Sequence, residues 1–199
     1  MTDHYFSQQQ NAPYTESSFD VTLRNHHFIF LTAPGVFSGK KIDKGSLLLI
    51  ESAVISFTAQ KLLDLGCGYG AVGIALAKSF PKINVVMSDI NERAVFLSKK
   101  NIKENRIDNA EAKQSDGFEK ISDSFDVILL NPPQTAGKKV CEKLITDSFE
   151  HLHSQGTLQI VARHQKGGKG LADFMEMIFG NVQATAKSGG YRVYMSEKK

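Results

Sequence analysis

Cysteine and long hydrophobic runs are both scarce in this sequence of 199 residues. The two cysteines, Cys67 and Cys141, cannot build the disulfide framework of a small secreted domain, so we expect a reducing, cytoplasmic compartment. The longest strongly apolar runs, Leu47–Ile50 and Val127–Leu130, fall far short of the roughly 20 residues that cross a bilayer, so no membrane span is expected. The first twenty residues contain neither Lys nor Arg, which argues against a signal peptide.

A large excess of charge of one sign is also absent. The 24 Lys and Arg residues are nearly balanced by 21 Asp and Glu residues, and the net charge of +3 is too small to indicate a strongly basic nucleic-acid-binding protein. Neither His26–His27 nor the pair His151 and His153 has metal-ligand spacing, so we expect no metal site. A hydrophobic content of 41% and a charged content of 23% are typical of a globular domain.

Three regions can be distinguished along the chain. Residues 1–18 are polar and are predicted to form a flexible N-terminal arm. Residues 19–58 contain two short apolar segments around a Pro34–Gly35 turn, and we predict an extension that packs near the active site. Residues 59–199 are predicted to form the cofactor-binding core, and residues 19–199 to fold as a single globular unit.

Apolar strands and helices alternate through this core. The predicted strands are Lys61–Leu65, Ile83–Met87, Ala110–Gln114, Phe125–Leu130, Leu158–Val161, Val182–Lys187 and Tyr191–Met195. The predicted helices are Ala71–Phe80, Asn91–Asn105, residues 138–153 and a segment containing Leu171–Phe179. This alternation predicts an α/β fold with a mainly parallel sheet and helices on both faces. In such sheets ligands bind beyond the carboxyl ends of the strands, so functional residues are expected in the loops that follow them.

The loop after the first core strand is rich in glycine and runs Asp64-Leu65-Gly66-Cys67-Gly68-Tyr69-Gly70. Glycine lets the backbone turn tightly and lets a ligand lie against bare peptide groups. Asp89 ends the second strand 21 residues after Gly68, where a carboxylate can accept hydrogen bonds from two ribose hydroxyls. Because Gly68–Gly73 also fits G-x-G-x-x-G, these features are compatible with a nicotinamide cofactor as well as with S-adenosylmethionine.

Three further features separate these two cofactors. Asp64 followed by the extra glycine Gly66 gives a D-x-G-x-G-x-G run that resembles the first motif of class I methyltransferases. Asp116 follows the third strand, where that family places a carboxylate on the adenine amino group, and Asn131 begins an Asn-Pro-Pro sequence that a dehydrogenase does not need. The cofactor is therefore expected to be S-adenosylmethionine. The candidate cofactor-binding residues are Asp64, Gly66, Cys67, Gly68, Gly70, Asp89, Ile90, Asp116 and Gly117.

The fourth core strand ends in Asn131-Pro132-Pro133, which indicates methyl transfer to an exocyclic amine. An amine on an aromatic ring or an acyl group is a poor nucleophile because its lone pair is delocalised. The side-chain oxygen of Asn131 can accept one N–H and the carbonyl of Pro132 the other, which directs the lone pair towards the methyl group. The prolines hold this loop rigid before substrate arrives, so Asn131 and Pro132 are the catalytic candidates.

With these motifs the chain resembles the small-domain methyltransferases, and especially the bacterial enzymes that methylate guanine N2 of small-subunit ribosomal RNA. The matching segments are Gly35–Ser38, Ile42–Ser46, Asp64–Gly70, Ser88–Asn91, Asn131–Pro133, Ala136–Lys138 and Gly189–Val193. The resemblance implies a Rossmann-like sheet with the strand order 3-2-1-4-5-7-6 and an antiparallel last strand. Many members carry an aromatic residue after Asn-Pro-Pro to stack on the extruded base. Gln134 stands there instead, so either another side chain such as Phe37 stacks on the base or the target differs.

Basic residues in the loops after the fourth and fifth strands favour RNA as the substrate. Lys138 lies in the first of these loops, and the segment Arg163–Lys169 in the second contains no acid. The candidate substrate-binding residues are Phe37, Pro133, Gln134, Lys138 and Arg163. The RNA partner is expected to be ribosomal RNA or the small subunit, and the sequence leaves the oligomeric state open.

Three other functions are compatible with parts of the pattern. A protein methyltransferase acting on a glutamine amide is the main alternative, because Asn-Pro-Pro suits that amine too. Such enzymes usually carry a helical N-terminal domain, whereas the pattern of residues 1–58 is too short and too strand-like for one. A non-catalytic binding module is disfavoured by the presence of Asp64, Asp89 and Asn131 together, and a dehydrogenase by the Asn-Pro-Pro sequence.

Overall fold

The computed structural model describes Gln8, residues 13–38 and residues 41–199, with the side chain of Gln134 excepted. The chain opens with an antiparallel hairpin, β1 (Ser17–Leu23) and β2 (His26–Thr32). Its two-residue turn places Arg24 and Asn25 at φ values of +46° and +64°, the left-handed geometry that suits the twist of a tight hairpin. A short helix, α1 (Lys44–Ser52), follows the hairpin.

The core within the described residues is a seven-stranded sheet with four further helices. Its strands are β3 (Lys61–Leu65), β4 (Asn84–Asp89), β5 (Ala110–Gln114), β6 (Phe125–Leu130), β7 (Leu152–Arg163), β8 (Gln183–Ser188) and β9 (Tyr191–Glu197). Its helices are α2 (Ala71–Ser79), α3 (Glu92–Glu104), α4 (Lys138–Glu150) and α5 (Lys169–Phe179). A 3-10 turn spans Gln134–Ala136 and a π-helical turn spans His164–Gly168.

The strand order is β5-β4-β3-β6-β7-β9-β8. Counted from β3 as the first core strand, this is the order 3-2-1-4-5-7-6 that the resemblance implied, so the predicted Rossmann-like fold is confirmed. Strands β3 to β7 are parallel, and β9 runs antiparallel to both of its neighbours. Parallel strands bring the loops after β3, β4, β5 and β6 to one edge of the sheet.

Helices cover both faces of this sheet and enclose two apolar cores. One core is built by α1, α2 and α3, with Ile50, Ile74 and Leu97 fully buried. The other is built by α4 and α5, with Ile145 and Met175 fully buried. Burial on both faces explains why β3 and β6 are almost continuously apolar instead of alternating.

The N-terminal hairpin is attached to the core by the hydrogen bonds of two asparagines, of which Asn101 is buried. The Asn101 side chain on α3 accepts from Leu31 N at 2.7 Å and donates to Leu31 O at 2.9 Å and to Tyr69 O at 2.8 Å. Asn105 repeats the pattern one helical turn later with Ile29 N and Ile29 O. The buried Asn101 amide thus connects β2, α3 and the glycine-rich loop, so one side chain holds both the hairpin and the loop in place.

The described part of the N-terminal region contains regular structure that the sequence pattern did not reveal. Residues 19–58 contain α1 as well as strands, because Asp43 caps a helix start that the apolar run Leu47–Ile50 does not itself disclose. Most of the predicted arm lies outside the described residues. Its described end is ordered by contacts with the core: Ser17 begins β1, and Glu16 pairs with Lys100 on α3.

The helix predicted over residues 138–153 was too long. Helix α4 ends at Glu150, and Leu152 already begins β7, where it is the strand partner of Phe125. Leu152 lies seven residues after Ile145, a spacing that suits the apolar face of one helix. The chain instead reverses direction after Glu150, and Leu152 reaches the same apolar core from strand β7. His153 is therefore a strand residue, and its ring lies 3.1 Å from an oxygen of Asp126.

Candidate functional site

A cavity of about 370 Å³ opens at the carboxyl ends of β3, β4 and β6. It brings together most of the predicted cofactor-binding residues: Asp64, Gly66, Cys67, Gly68, Asp89, Ile90, Asp116 and Gly117. It also contains Asn131, Pro132 and Pro133 from the loop after β6, and Phe37 from the N-terminal extension. Gly70 lies beneath the cavity at the start of α2, packed towards Ser98 and Met87.

The glycine-rich loop owes its shape to backbone geometry. Gly66 and Gly68 have φ values of +72° and +58°, a left-handed conformation that L side chains rarely adopt. A Cβ at either position would meet no atom within 4 Å. Glycine is therefore favoured here by the backbone conformation and not by steric crowding, and the space beside it is open to a ligand. The N–H groups of Gly66 and Cys67 both donate to Ser88 O, which fixes the loop against the end of β4.

Asp64 is a buried carboxylate at the end of β3. Its Oδ2 accepts from Gly73 N at 2.8 Å. Burial raises the pKa of Asp64 to about 7, the Gly73 hydrogen bond lowers it, and the nearby charge of Asp89 raises it further. A Cβ at Gly73 would lie 2.4 Å from the Met87 sulfur, so glycine is required for α2 to approach this carboxylate.

Asp89 ends β4 on the opposite side of the loop. Its Oδ2 accepts from Gly68 N at 2.8 Å and its Oδ1 accepts from Asn91 N at 2.9 Å. Burial raises the pKa of Asp89 to about 6, against the lowering effect of these backbone hydrogen bonds. A buried carboxylate and a partly buried one therefore face one cavity, and among the described residues only backbone groups donate to them. This arrangement favours a ligand carrying hydroxyl donors and positive charge.

Cys67 and Ser88 complete the polar lining near this loop. Burial raises the pKa of the Cys67 thiol well above its ordinary value, and the charges of Asp89 and Asp64 raise it further, so the thiol stays neutral. Among the described residues, no group hydrogen-bonds the buried hydroxyl of Ser88, which also lines the cavity. An unpartnered buried hydroxyl beside two carboxylates fits a site whose remaining polar partner is a ligand.

Asn131 follows β6 with its amide held by α1. Its Nδ2 donates to Ser46 Oγ at 3.0 Å and lies 3.5 Å from Asp43 Oδ1. A carboxylate only accepts hydrogen bonds, so the amide must present its NH₂ group to Asp43. The same Asp43 oxygen accepts from Gly45 N and Ser46 N as the N-cap of α1. The Asn131 carbonyl oxygen accepts no hydrogen bond from the described part of the chain.

The two proline carbonyls differ in their partners. Pro133 O accepts from Ala136 N at 2.8 Å within the 3-10 turn. No described backbone N–H outside the regular elements donates to Pro132 O. Asn131 and Pro132 both line the cavity, and each thus keeps one acceptor oxygen without a hydrogen-bond donor among the described residues.

Sequence reasoning missed Asp43 and Ser46 as site residues. Both line the cavity through α1, together with the apolar side chains of Val140 and Leu144 on α4. The signal available in the sequence was a helix N-cap at Asp43. An aspartate at this position accepts from the backbone N–H groups two and three residues later, which favours the start of a helix. That pattern identifies a helix but does not reveal the contact with Asn131.

Two predicted substrate-binding residues do not line this cavity. Lys138 begins α4 and pairs with Glu142 at 3.2 Å on the helix surface. Arg163, at the end of β7, lines a separate cavity with residues of the β8–β9 turn. Gln134 begins the 3-10 turn, and its side chain lies outside the described atoms.

Neither a membrane helix nor a metal cluster is found in the described ranges. No helix there is long and apolar enough to cross a membrane. No group of three or more His, Cys, Asp or Glu side chains there could hold a metal ion.

Comparison with known proteins agrees with this site. Residues 27–195 match the family model of the methyltransferase small domain. The protein YbxB of Bacillus subtilis is 38% identical over 200 residues that cover all of both chains. The ribosomal RNA small subunit methyltransferase C of Actinobacillus pleuropneumoniae is 32% identical over 98% of this chain, which spans only 59% of that protein.

A solved structure has the same architecture. The 16S ribosomal RNA N2 G1207 methyltransferase of Thermus thermophilus, in complex with S-adenosylmethionine and guanosine, superposes with a TM-score of 0.80 and 26% identity, covering 96% of this chain and 52% of that one. The cavity, its glycine-rich loop and its two carboxylates lie where the sequence motifs predicted a cofactor. The chain belongs to the methyltransferase small-domain family, and its cofactor is S-adenosylmethionine.

Proposed function

We propose that this protein transfers a methyl group from S-adenosylmethionine to guanine N2 of small-subunit ribosomal RNA. The observation that carries the proposal is the fixed orientation of the Asn131 amide, with its NH₂ held by Ser46 and its oxygen left for a substrate. The proposed substrate is a component of the ribosome, so the protein would work in the cytoplasm.

The acceptor chemistry follows from two oxygens at the end of β6. The amine of guanine N2 carries two N–H bonds and a lone pair delocalised into the ring. When Asn131 Oδ1 accepts one N–H and Pro132 O the other, the nitrogen is held so that its lone pair faces away from both oxygens. When bound, S-adenosylmethionine would supply a sulfonium methyl group, and the neutral thioether that remains after transfer is a good leaving group. A strong base is not needed, because the nitrogen becomes acidic as it is methylated and its excess proton can pass to water.

The cofactor-binding roles are assigned from the cavity lining. Asp64, Gly66 and Gly68 would border the amino acid part of the cofactor, because this side offers a buried carboxylate and glycines with open space beside them. Asp89, with Ile90 beside it, would accept from the ribose hydroxyls.

The adenine end of the cofactor would lie further along the same cavity. Asp116 lies in the loop after β5, and its side chain would accept a hydrogen bond from the adenine amino group. Gly117 beside it would let the base lie close to the backbone. Gly70 and Cys67 would act by shaping the loop, since Gly70 starts α2 in a left-handed conformation and the Cys67 thiol stays neutral.

The N-terminal extension belongs to the active site in this proposal. Residues 19–199 act as one unit because α1 supplies Asp43 and Ser46 to Asn131, and Phe37 lies on the cavity wall. Phe37 is half exposed, which suits an aromatic surface for an extruded base. Pro133 and the apolar side chains of α4 would form the opposite wall.

The substrate assignment is supported by the relatives. Proteins that share 32% identity over nearly the whole of this chain are small-subunit ribosomal RNA methyltransferases, and the Thermus thermophilus structure contains guanosine. Guanine N2 is an exocyclic amine of the kind that the Asn131 and Pro132 oxygens suit.

The test is transfer of labelled methyl from S-adenosylmethionine to purified small subunits, large subunits and total protein. Acceptor RNA is then digested to identify the methylated nucleoside. We expect N2-methylguanosine from small-subunit RNA. Label found only in protein would favour the glutamine amide as acceptor, and label in neither RNA nor protein would overturn both assignments.

A further inference from the structure

A second cavity, of about 460 Å³, lies between the π-helical turn after β7 and the turn that joins β8 to β9. We call it the basic groove. Its lining contains four cationic side chains, Arg163, Lys166, Lys187 and Arg192, and no Asp or Glu among the described residues. None of these four makes an ion pair with a described carboxylate.

The positive charge in the groove is concentrated by strand register. Lys187 on β8 and Arg192 on β9 are direct partners across the antiparallel pair. Arg163 on β7 is the partner of Tyr191, the residue before Arg192 on β9, so Arg163 leaves the same end of the sheet from its other face. Like charges directly opposite each other in a sheet destabilise it, so the Lys187–Arg192 pair costs the free protein stability. An anion bound to that pair would remove this cost.

The groove has a fixed backbone. Gly189 and Gly190 form the two-residue β8–β9 turn with φ values of +54° and +81°. His164 N donates to Gly190 O at 3.0 Å, which ties this turn to the end of β7. The cations are therefore carried by three chain segments held at one place, and do not belong to a loose basic tail.

Tyr191 connects the groove to the catalytic cavity. Arg163 Nε donates to the Tyr191 hydroxyl at 3.0 Å, and the guanidinium lies 5.1 Å from the centre of the ring. An edge of the ring faces α1, where a Cβ on Gly45 would lie 3.1 Å from Tyr191 Cε1. Gly45 N donates to Asp43, which lies beside Asn131. A single ring and the first turn of α1 thus separate the groove from the acceptor site.

We propose that the basic groove binds backbone phosphates of the RNA strand next to the nucleotide whose base enters the catalytic cavity. This inference rests on the proposed function. An extruded base leaves its flanking phosphates at the rim of the cavity, and arginine and lysine neutralise phosphate oxygens there. The groove would set the position of the strand, while Asn131 and Pro132 recognise the amine.

The test removes two charges from the groove and two from elsewhere. The groove variant is Lys187→Gln with Arg192→Gln. The control is Lys99→Gln with Lys103→Gln on α3, which packs near β5 at the other end of the sheet and carries the same change of charge. Each protein is titrated with purified small-subunit ribosomal RNA over a range of potassium chloride concentrations, and KM and kcat for methyl transfer to the same RNA are measured.

Each lost phosphate contact lowers the magnitude of the slope of log K against log salt by roughly 0.7 to 0.9. Loss of two contacts in the groove variant should therefore lower this slope by about 1.4 to 1.8, and the control should leave it nearly unchanged. Its KM for RNA should rise by a larger factor than its kcat falls. The groove variant should also melt at a higher temperature at low salt, because Lys187 and Arg192 no longer repel each other, and this readout shows that it folds.

The outcomes separate the two proposals. An unchanged salt slope in a groove variant that still methylates RNA would overturn the groove alone. RNA binding that depends on the groove, without any methylation of RNA by the wild-type protein, would support the groove and overturn the proposed reaction. Equal losses in the groove variant and the control would reduce the groove to general surface charge and overturn its specific role.

Discussion

The side-chain amide of Asn131 donates to the hydroxyl of Ser46 at 3.0 Å, across 85 residues of sequence. This contact joins the loop after β6 to the first turn of α1. It fixes which end of the amide faces the cavity, because Asp43 behind Ser46 can only accept. The orientation of the proposed catalytic oxygen is therefore set by the N-terminal extension and not by the Asn-Pro-Pro loop alone.

Replacing Asn131 tests the proposed acceptor site directly. Asn131→Ala should lower kcat by about 100-fold or more, since it removes an oxygen that holds the amine during transfer. Binding of S-adenosylmethionine, measured by calorimetry, should be unchanged, because the carboxylates proposed to bind it, Asp64 and Asp89, lie on β3 and β4. Asn131→Asp keeps an acceptor but places a second carboxylate beside Asp43, and it should be similarly impaired. Wild-type turnover in the alanine variant would contradict the mechanism.

Replacing Ser46 tests whether the amide needs its support. Ser46→Ala should reduce kcat roughly 3- to 10-fold, the equivalent of one hydrogen bond, while Ser46→Thr keeps the hydroxyl and should restore most of the rate. In the Asn131→Ala background, Ser46→Ala should have no further effect on kcat. Losses that simply add in the double variant would mean that Ser46 acts through the stability of α1 and not through Asn131.

Local patterns predicted the core strands well. The bounds predicted for β3, β5 and β6 are those of the structure, because each is a short run bounded by turn residues or, for β5, a polar segment at the sheet edge. The cofactor loop and the Asn-Pro-Pro loop were placed correctly for the same reason. Each is a local sequence at the carboxyl end of a strand, and parallel strands bring those ends together.

Contacts between distant segments could not be read from the sequence. Ser46 gains its role only because α1 packs against β7 and β9, next to the end of β6. Arg163 was assigned to a basic rim from its place after β7, but its contact with Tyr191 in the basic groove was not readable from that position. Both outcomes depend on how β9 inserts beside β7, which composition and periodicity do not specify.

The close packing of α2 against β4 predicts a specific cost for a methyl group at Gly73. Gly73→Ala would place a Cβ 2.4 Å from the Met87 sulfur, so α2 or Met87 must shift, and we expect a loss of about 1–3 kcal/mol in the free energy of unfolding. Gly170→Ala is the matched control, because a Cβ there meets no atom within 4 Å and α5 accepts alanine.

Urea unfolding of the two glycine variants measures this difference. The control should be as stable as the wild type or slightly more so. The Gly73 variant should also bind S-adenosylmethionine more weakly, because the Gly73 N–H that supports Asp64 moves with the helix. Equal stabilities for the two variants would show that Met87 yields without cost.

The raised pKa values of Asp64 and Asp89, about 7 and about 6, predict a pH dependence of stability. Both values lie above the ordinary 3.8, so between pH 4 and 7 the folded protein binds more protons than the unfolded chain. These two carboxyl groups therefore contribute least to stability above pH 7. Between pH 4 and 7, each unit of rising pH lowers the free energy of unfolding by up to about 1.4 kcal/mol per group. Asp64→Asn and Asp89→Asn remove the titration, so their stability relative to wild type should increase from pH 5 to pH 8.

The measurement is the free energy of unfolding in urea at pH 5, 6, 7 and 8, with the exposed Asp108→Asn as the control. A difference from wild type that stays constant with pH in the Asp64 and Asp89 variants would contradict the assignment. The same linkage applies to the ligand. Because S-adenosylmethionine is cationic, it should bind the ionised carboxylates more tightly, so its affinity should rise from pH 5 to pH 8. Calorimetry in two buffers of different ionisation enthalpy should then detect proton release on binding at pH 6.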